Sequence, residues 1–304
     1  MIRFLSGKEI DTKKWDNAIS GSWHETAYGY CWYLDIVTPG WSGLVLDDYK
    51  AVMPLVTSKK AGLSYVLNVP FMQYTTIYGL KPDNVLFHEF IKAIPAKFRY
   101  LDFKIYLPFK PVLKNAEIYS HTNLILDLSQ SKAELFSCFN TNTKRNIKKA
   151  EKQSIRVNAS DNPEPMIDTY TRFKQRKYNS RFDDNIAENI RNVIQSGIHN
   201  GFGELLYAYD SGNNCLGGTY FQKSASRIIY LFSAAEDEAK STGAMAYIVK
   251  KQIHNYAGTN MILDFEGSDI PGIARFYKGF GSTDEKYYHI KINRLPKLIK
   301  WIKR

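Results

Sequence analysis

Two carboxylates stand directly after a predicted strand and could carry proton-transfer chemistry. The apolar run Asn260–Leu263 predicts a buried strand, and Asp264 and Glu266 follow it two residues apart. Residues two apart on a strand point to the same side of the sheet. We therefore expect both carboxylates, with Ser268 beyond them, at the mouth of the strand. Either carboxylate could accept a proton from a reacting group.

A short helix is predicted immediately after these acids. Pro271 fits its first turn, because the N–H that proline lacks would be unpaired there anyway, and Gly279 follows its end. Arg275 and Lys278 are one turn apart. We expect Arg275 to bind an anion or the substrate, and Lys278 to stabilise a developing oxyanion or to orient a carboxylate of the substrate. The structural alternative is that Glu266 caps this helix and pairs with Arg275.

A strongly basic helix is the second feature that could bind a ligand. In the predicted helix 131–153, one face of about 140° carries its cations and the opposite face is apolar. Those cations are Lys144, Arg145, Lys148, Lys149 and Lys152. Five more cations follow within residues 172–181. The pattern predicts a surface that binds phosphates or nucleic acid, and the alternative is a solvated helix face.

The elements around these residues follow a mixed α/β order. In the first part of the chain we predict a hairpin, further strands, one helix and a connector, at residues 42–57, 63–69, 73–78, 98–105, 83–93 and 108–122. In the second part we predict strands at 124–128, 155–158, 203–209, 216–223, 227–234 and 286–292. Helices besides 131–153 are predicted at 164–180, 184–199, 243–256 and from residue 271.

Three segments give the chain a resemblance to FemAB-like proteins, a branch of the GNAT acyltransferase superfamily. They are the strand, acidic turn and Arg-Phe-Tyr-Lys helix of 260–292, the basic segment Asn142–Lys152, and the entry containing Trp15-Asp16 and Tyr30–Asp35. The resemblance implies α/β architecture with two tandem GNAT-like acyl-CoA N-acyltransferase domains, each a mixed sheet flanked by helices. We place these domains at 1–122 and 123–304, with the active cleft in the second.

The resemblance also implies where a donor and the reacting groups would bind. In GNAT enzymes the donor's pyrophosphate meets a strand–helix junction, which corresponds here to Ser241, Thr242, Gly243 and Ala244. Gly243→Val is then expected to weaken donor binding with the fold intact. The alternative is that Ser241 or Thr242 caps the following helix. No tightly bound cofactor is implied; the co-substrate is acyl-CoA or aminoacyl-tRNA.

The composition of the chain limits the classes of protein and of site that are expected. Of 304 residues, 44% are hydrophobic, which predicts well-filled cores rather than disorder. Residues 123–304 carry 27 Lys and Arg against 19 Asp and Glu, most of the net charge of +11. The three cysteines and six histidines show no zinc spacing, so we expect no metal site. With no signal peptide and no integral membrane segment recognised, we expect a cytoplasmic protein.

The tail 295–304 alternates leucine and isoleucine with lysine and predicts a basic amphipathic helix. We favour docking on the first domain. The alternative is peripheral contact with a membrane surface, as a lipid-linked acceptor would require.

The function expected is transfer of an acyl group, with acyl-CoA favoured as donor, to an amine of a cell-envelope or sugar-nucleotide acceptor. Asp264 or Glu266 would take the proton, and Tyr220 and Tyr230 are alternative proton donors. One rival is an aminoacyl-tRNA-dependent peptidoglycan aminoacyltransferase, although the chain has no long heptad arm. The other is a non-catalytic module that binds anions or nucleic acid.

Overall fold

The computed structural model describes residues 1–60, 62–178, 184–267 and 270–295. The chain forms two compact units. Of the described residues, Met1–Thr122 and 286–295 form unit 1, and Asn123–Glu285 forms unit 2. Residues 286–295, which the sequence-based boundary at 122/123 places in the second domain, group with unit 1 in the structure.

Residues 1–127 form three helices and eight strands, with 3₁₀ turns at Gly7–Glu9 and Ala27–Gly29, in the part that the structure describes. The helices are α1 (Thr12–Ser20), α2 (Cys31–Val37) and α3 (Asn84–Ala93). The strands are β1 (Ile2–Ser6), β2 (Ser42–Leu46), β3 (Ala51–Leu55), β4 (Thr57–Lys60), β5 (Leu63–Leu67), β6 (Tyr78–Gly79), β7 (Phe98–Ile105) and β8 (Glu117–Asp127).

The rest of the chain alternates helices with strands. The helices are α4 (Lys132–Ser137), α5 (Thr141–Lys152), α6 (Glu164–Tyr178), α7 (Asp184–His199), α8 (Asp237–Thr242), α9 (Ala244–Tyr256) and α10 (Pro271–Lys278). The strands are β9 (Arg156–Ser160), β10 (Gly203–Tyr209), β11 (Cys215–Lys223), β12 (Arg227–Ala235), β13 (Ile262–Asp264) and β14 (Thr283–Asn293).

Unit 1 contains an antiparallel sheet and one parallel strand pair. The antiparallel sheet has the order β1-β2-β3-β6. A second set of strands runs β4-β5-β7-β14, in which only β5 and β7 are parallel. Helix α3 lies between these parallel strands in the chain and buries Phe87, Phe90 and Ile91, three and four residues apart on one face. The Asp83 carboxylate caps the helix by accepting the Leu86 N–H at 2.8 Å.

Unit 2 is one mixed sheet with helices packed on it. Its strand order is β8-β13-β12-β11-β10-β9, and only β12 and β13 are parallel. Strand β11 lies inside this sheet and is buried from Leu216 to Gln222. Helix α9 supplies Ile248, Val249 and Ile253 to the core. The predicted fold class, a mixed α/β chain, is confirmed.

Three predicted elements differ from the structure. The single helix 131–153 is two helices: α4 ends at Ser137, and Asn140 starts α5 by accepting the Thr143 N–H at 2.8 Å. The predicted strand 73–78 is reduced to β6 at its end and a bridge at Thr75. The predicted connector 108–122 already contains the start of β8, at Glu117.

None of the helices in the described ranges is long and apolar enough to cross a bilayer.

Candidate active site

The parallel pair in unit 2 covers only three residues of each strand. Arg227, Ile228 and Ile229 of β12 pair with 262–264 of β13. Strand β13 then ends, and the chain turns away through left-handed backbone at Glu266 (φ 58°) and Gly267 (φ 61°). Strand β12 continues for six more residues, to Ala235. The two strands therefore part at this end of the sheet, where α/β proteins commonly bind ligands.

A cavity of about 450 Å³ lies beyond the point where the strands part. This volume falls within the range that small-molecule sites usually occupy. Five elements and the loop residue Gly243 enclose it, and none of its described lining residues carries a charged side chain. The lining residues are Asn146 of α5, Tyr230, Ser233 and Ala235 of β12, Ala239 of α8, Gly243, Met245 and Ala246 of α9, and Gly272, Ile273, Phe276 and Tyr277 of α10.

Helix α10 forms one wall of the cavity, and contacts at its C-terminal end and on its inner face hold it in place. Its C-terminal end docks on α5, where the Asn140 N–H donates to the Gly279 carbonyl at 2.9 Å. A side chain at Gly279 would place its Cβ 2.3 Å from the Thr143 hydroxyl, so only glycine permits this approach. On the inner face the Tyr277 ring stacks on Phe265, with centroids 4.8 Å apart. These contacts hold Tyr277 in the lining of the cavity.

Two buried tyrosines are the titratable groups of the described lining, beside the polar Asn146 and Ser233. Burial holds the pKa of Tyr277 well above its usual value, and Tyr230 and the charge of Glu266 raise it further. Burial also raises the pKa of Tyr230, against the opposing effect of the Ser233 hydroxyl. The two rings meet edge to face, with centroids 5.5 Å apart. Both tyrosines are therefore protonated at neutral pH and can donate hydrogen bonds.

Asp264 and Glu266 occupy very different environments. Asp264 is fully buried, and Arg227 donates to its Oδ2 at 2.6 Å. The Asp264 Oδ1 accepts the backbone N–H of Glu266 at 2.8 Å. Glu266 is half-buried and lies close enough to Tyr277 for its charge to raise the pKa of the phenol. The expected strand alternation that would put both carboxylates on one side is wrong, because β13 ends at Asp264 and Glu266 adopts a positive φ.

The two basic residues of α10 face away from the cavity. Lys278 is exposed, and its ammonium lies 3.1 Å from the Asp284 carboxylate. Arg275 is exposed on the same helix. Neither lines the cavity, whereas Ile273, Phe276 and Tyr277 do. The structure thus separates Lys278 from the tyrosines, and the catalytic roles of Glu266, Lys278 and Asp264 stay predictions.

The predicted donor junction contributes Gly243 to the cavity lining. Ser241 and Thr242 donate their hydroxyls to carbonyls within α8, at 2.8 and 3.2 Å, and Ala244 is buried. The alternative that Ser241 or Thr242 is the N-cap is wrong, because α9 begins after Gly243. The expectation that Gly243→Val leaves the fold intact is also wrong. Gly243 has φ 78°, and a Cβ there would lie 2.2 Å from the carbonyl oxygen of Asn146.

The predicted basic face is present on α5. Thr143, Ile147 and Ala150 are buried, while Arg145 and Lys148 are exposed. Lys144 is half-buried and donates to the Ser137 carbonyl at 2.8 Å. Of this helix, Asn146 lines the cavity, and none of its cations is among the lining residues. Anion binding by Lys144, Arg145, Lys148 and Arg275 stays a prediction.

Some sequence predictions fall outside what the structure describes. They concern Ser268, the side chains of 174–178, residues 179–183 and the tail from 296 to 304.

Sequence reasoning missed Tyr277 and Asn146. Tyr277 lies four residues after Ile273, a spacing that puts both on one face of a short helix, and this periodicity could have indicated it. Within the basic run 144–149, Ile147 is apolar and Asn146 is the one uncharged polar residue. This exception to the run of cations could have indicated Asn146 as a site residue. Tyr220 is structural instead: its hydroxyl donates to Gln222 Oε1 at 2.7 Å.

Comparison with solved structures places this arrangement among known folds. The crystal structure of FemX matches 97% of this chain and 99% of its own, with a TM-score of 0.68 and 12% sequence identity. The fold of this chain is similar to that of FemX. The FemAB-like architecture expected from the sequence is therefore supported by a match along nearly the whole chain.

Two further solved structures share the fold. One is the C-terminal domain of a protein assigned as a lysylphosphatidylglycerol synthetase from Agrobacterium fabrum, with a TM-score of 0.57 and 9% identity over 96% of this chain and 94% of that chain. The other is L-PGS from Bacillus licheniformis, with a TM-score of 0.56 and 10% identity over the same shares. No protein-family model and no curated protein matches the sequence.

Proposed function

We propose that this chain is an acyltransferase whose donor inserts its acyl-bearing arm into the cavity of unit 2. The observation that carries the proposal is a cavity of about 450 Å³ whose described lining is uncharged and includes two protonated tyrosines, with the Glu266 carboxylate near Tyr277. A narrow, neutral donor arm loses little on leaving water for such a lining, whereas a charged group would require a partner. The fold shared with FemX and L-PGS supports a transferase.

The proposed reaction uses Glu266 and Tyr277 in separate roles. The acceptor amine attacks the acyl carbonyl, the new C–N bond forms, and the bond from the carbonyl carbon to the donor's sulfur or oxygen breaks. Glu266 takes the proton that the amine loses. Tyr277, kept neutral by burial, donates a hydrogen bond to the oxygen on which charge develops. We propose a cell-envelope or sugar-nucleotide amine as the acceptor.

Two buried tyrosines offer a matched test of this assignment. With acetyl-CoA as donor and a UDP-amino sugar as acceptor, Tyr277→Phe is expected to lower turnover about 10²-fold, the usual effect of one oxyanion donor. Tyr220→Phe removes an equally buried hydroxyl away from the cavity. It is expected to keep turnover and to lose about 1 kcal/mol of stability with the Gln222 hydrogen bond. Equal turnover in both variants would contradict the role of Tyr277.

An aminoacyl-tRNA donor is the second candidate, and the exposed cations around Asn146 favour it. Binding through phosphates should weaken steeply with salt, while a small thioester should show a shallow dependence. The variant Lys144→Gln/Arg145→Gln/Lys148→Gln should reduce tRNA binding and its salt slope. A matched triple change of the exposed Lys8, Lys13 and Lys114 in unit 1 should leave both unchanged. If tRNA binding is unchanged in the first variant, the basic face of α5 is only a solvated helix face.

A further inference from the structure

A buried ion-pair network in unit 2 ends at the backbone of Glu266. Arg227 is 3% exposed and donates to Asp264 Oδ2 at 2.6 Å and to the Glu285 carboxylate at 3.1 and 3.3 Å. The Asn123 amide donates to the same Glu285 at 3.1 Å. Arg227 thus joins β12 to β13 and to the start of β14. Groups buried this deeply are costly to leave unpaired, so the network fixes Asp264 in one orientation.

The Asp264 oxygen that does not bind Arg227 accepts a hydrogen bond from the backbone two residues later. This oxygen accepts the Glu266 N–H at 2.8 Å, and the Phe265 N–H between the two residues donates to the Leu124 carbonyl at 2.9 Å. These two bonds hold the chain where Glu266 has φ 58°, a conformation that residues other than glycine rarely adopt. Such strained backbone persists when its surroundings over-determine it.

We infer that Arg227 and Asp264 are positioning residues that aim the Glu266 side chain toward Tyr277 by fixing the backbone of Glu266. The inference rests on the proposed function, since it matters for turnover only if Glu266 takes a proton. Asp264 itself is fully buried, so it acts through Glu266 and does not touch substrate. This gives the predicted pair of acids two different tasks.

The first test needs no substrate. The 13Cζ resonance of Tyr277 reports the charge near its ring, so Glu266→Gln should shift it. Asp264→Asn keeps the size of the side chain but removes its charge and weakens its bond to Arg227. We expect it to shift the Tyr277 resonance as well, and to add no further shift when Glu266→Gln is already present. The inference is overturned if Asp264→Asn leaves the Tyr277 resonance unchanged. It is also overturned if Asp264→Asn shifts that resonance by the same amount in the Glu266→Gln background as in the parent.

The second test separates the inference from the proposed function. In acetyl-CoA turnover, Asp264→Asn should lower kcat at least 10-fold with little change in KM in the parent, and should have no effect in the Glu266→Gln background. Normal turnover in Glu266→Gln removes the role of Glu266 in the reaction but leaves the NMR result to judge positioning. Additive losses in the double variant overturn positioning alone.

A milder change covers the case in which Asp264→Asn does not fold. Arg227→Lys keeps the positive charge but replaces the planar fork that reaches Asp264 and Glu285 together. We expect it to fold and to move the Tyr277 resonance in the same direction by a smaller amount. An unmoved resonance in folded Arg227→Lys also contradicts the inference.

Discussion

In the described residues each unit contains one parallel strand pair, with α3 between its strands in unit 1 and α8 and α9 between them in unit 2, and the two pairs end differently. In unit 1, β5 pairs with β7 from Ser64 to Leu67. Beyond Leu67 the chain stays on β7: Asn68 accepts the Lys104 N–H at 3.2 Å, and Thr75 bridges Ile105. The cavity at this place is about 10 Å³, barely room for one water.

In unit 2 the space at the end of the parallel strand pair is not filled by the chain. Strand β13 stops at Asp264, β12 runs on to Ala235, and a cavity of about 450 Å³ fills the space between β12 and α10. A shared topology therefore does not give a shared site. In unit 1 the chain that follows the first strand of the pair returns to β7 at Thr75, whereas in unit 2 the chain that follows the second strand turns away at Glu266.

The largest expected effect is on turnover, and it tests which side of α10 faces the reacting groups. Glu266→Gln removes the proposed base and should lower turnover about 10²-fold. Lys278→Met removes a charge that the structure places on the solvent side with Asp284, so turnover should stay near that of the parent. Turnover and the affinity for acetyl-CoA are to be measured on both variants. A large loss in Lys278→Met with a normal Glu266→Gln would reverse the assignment.

Larger side chains at the ends of the two parallel pairs should separate the units further. We call the space of about 10 Å³ in unit 1 the closed gap and the cavity of about 450 Å³ in unit 2 the open gap. Thr75 is 6% exposed in the closed gap, and Thr75→Leu should cost about 1–3 kcal/mol of stability, the usual result of overpacking. Ala235→Leu adds similar bulk to the open cavity and should change stability by less than about 0.5 kcal/mol while reducing donor binding. Urea unfolding of both variants gives the comparison, and equal losses would show that the cavity is not free space.

The tyrosines of the open gap should also make stability depend on alkaline pH. The pKa of Tyr277 is raised in the folded protein, so between its unfolded value near 10 and its folded value only the unfolded chain loses the proton. The contribution of neutral Tyr277 is therefore complete below pH 10 and is lost as the pH rises above it. Tyr277→Phe should flatten this fall by at most about 1.4 kcal/mol per pH unit. An unchanged slope in denaturant titrations from pH 9 to 11 would contradict the raised pKa.

The sequence predicted most elements of this fold, because strand and helix periodicities were distinct. The hairpin 42–57 and the strands at 203–209 and 227–234 lie close to the observed β2–β3, β10 and β12. The break at Asn140 was missed, since both halves of 131–153 keep helical periodicity and only a capping side chain interrupts them.

The candidate site was harder to predict than the elements. Asp264 and Glu266 could be placed at a strand end, but their separation depends on the positive φ of Glu266 and on the distant Arg227, which no local pattern indicates. The position of Gly243 against Asn146 likewise depends on how α9 packs on α5. Contacts between residues far apart in the chain decide the site, and a single sequence does not contain them in readable form.

Binding of acetyl-CoA to Gly272→Trp tests the central claim most directly. Gly272 lines the cavity, and a Cβ added there would meet nothing within 4 Å, so the substitution should be tolerated. Gly272→Ala is the matched control; it should raise stability by about 0.5–1 kcal/mol and keep binding. By calorimetric titration we expect Gly272→Trp to bind acetyl-CoA at least 10-fold more weakly than Gly272→Ala, with a melting temperature no lower than that of the parent. Equal affinity in the two folded variants would contradict a donor site in the open gap of unit 2.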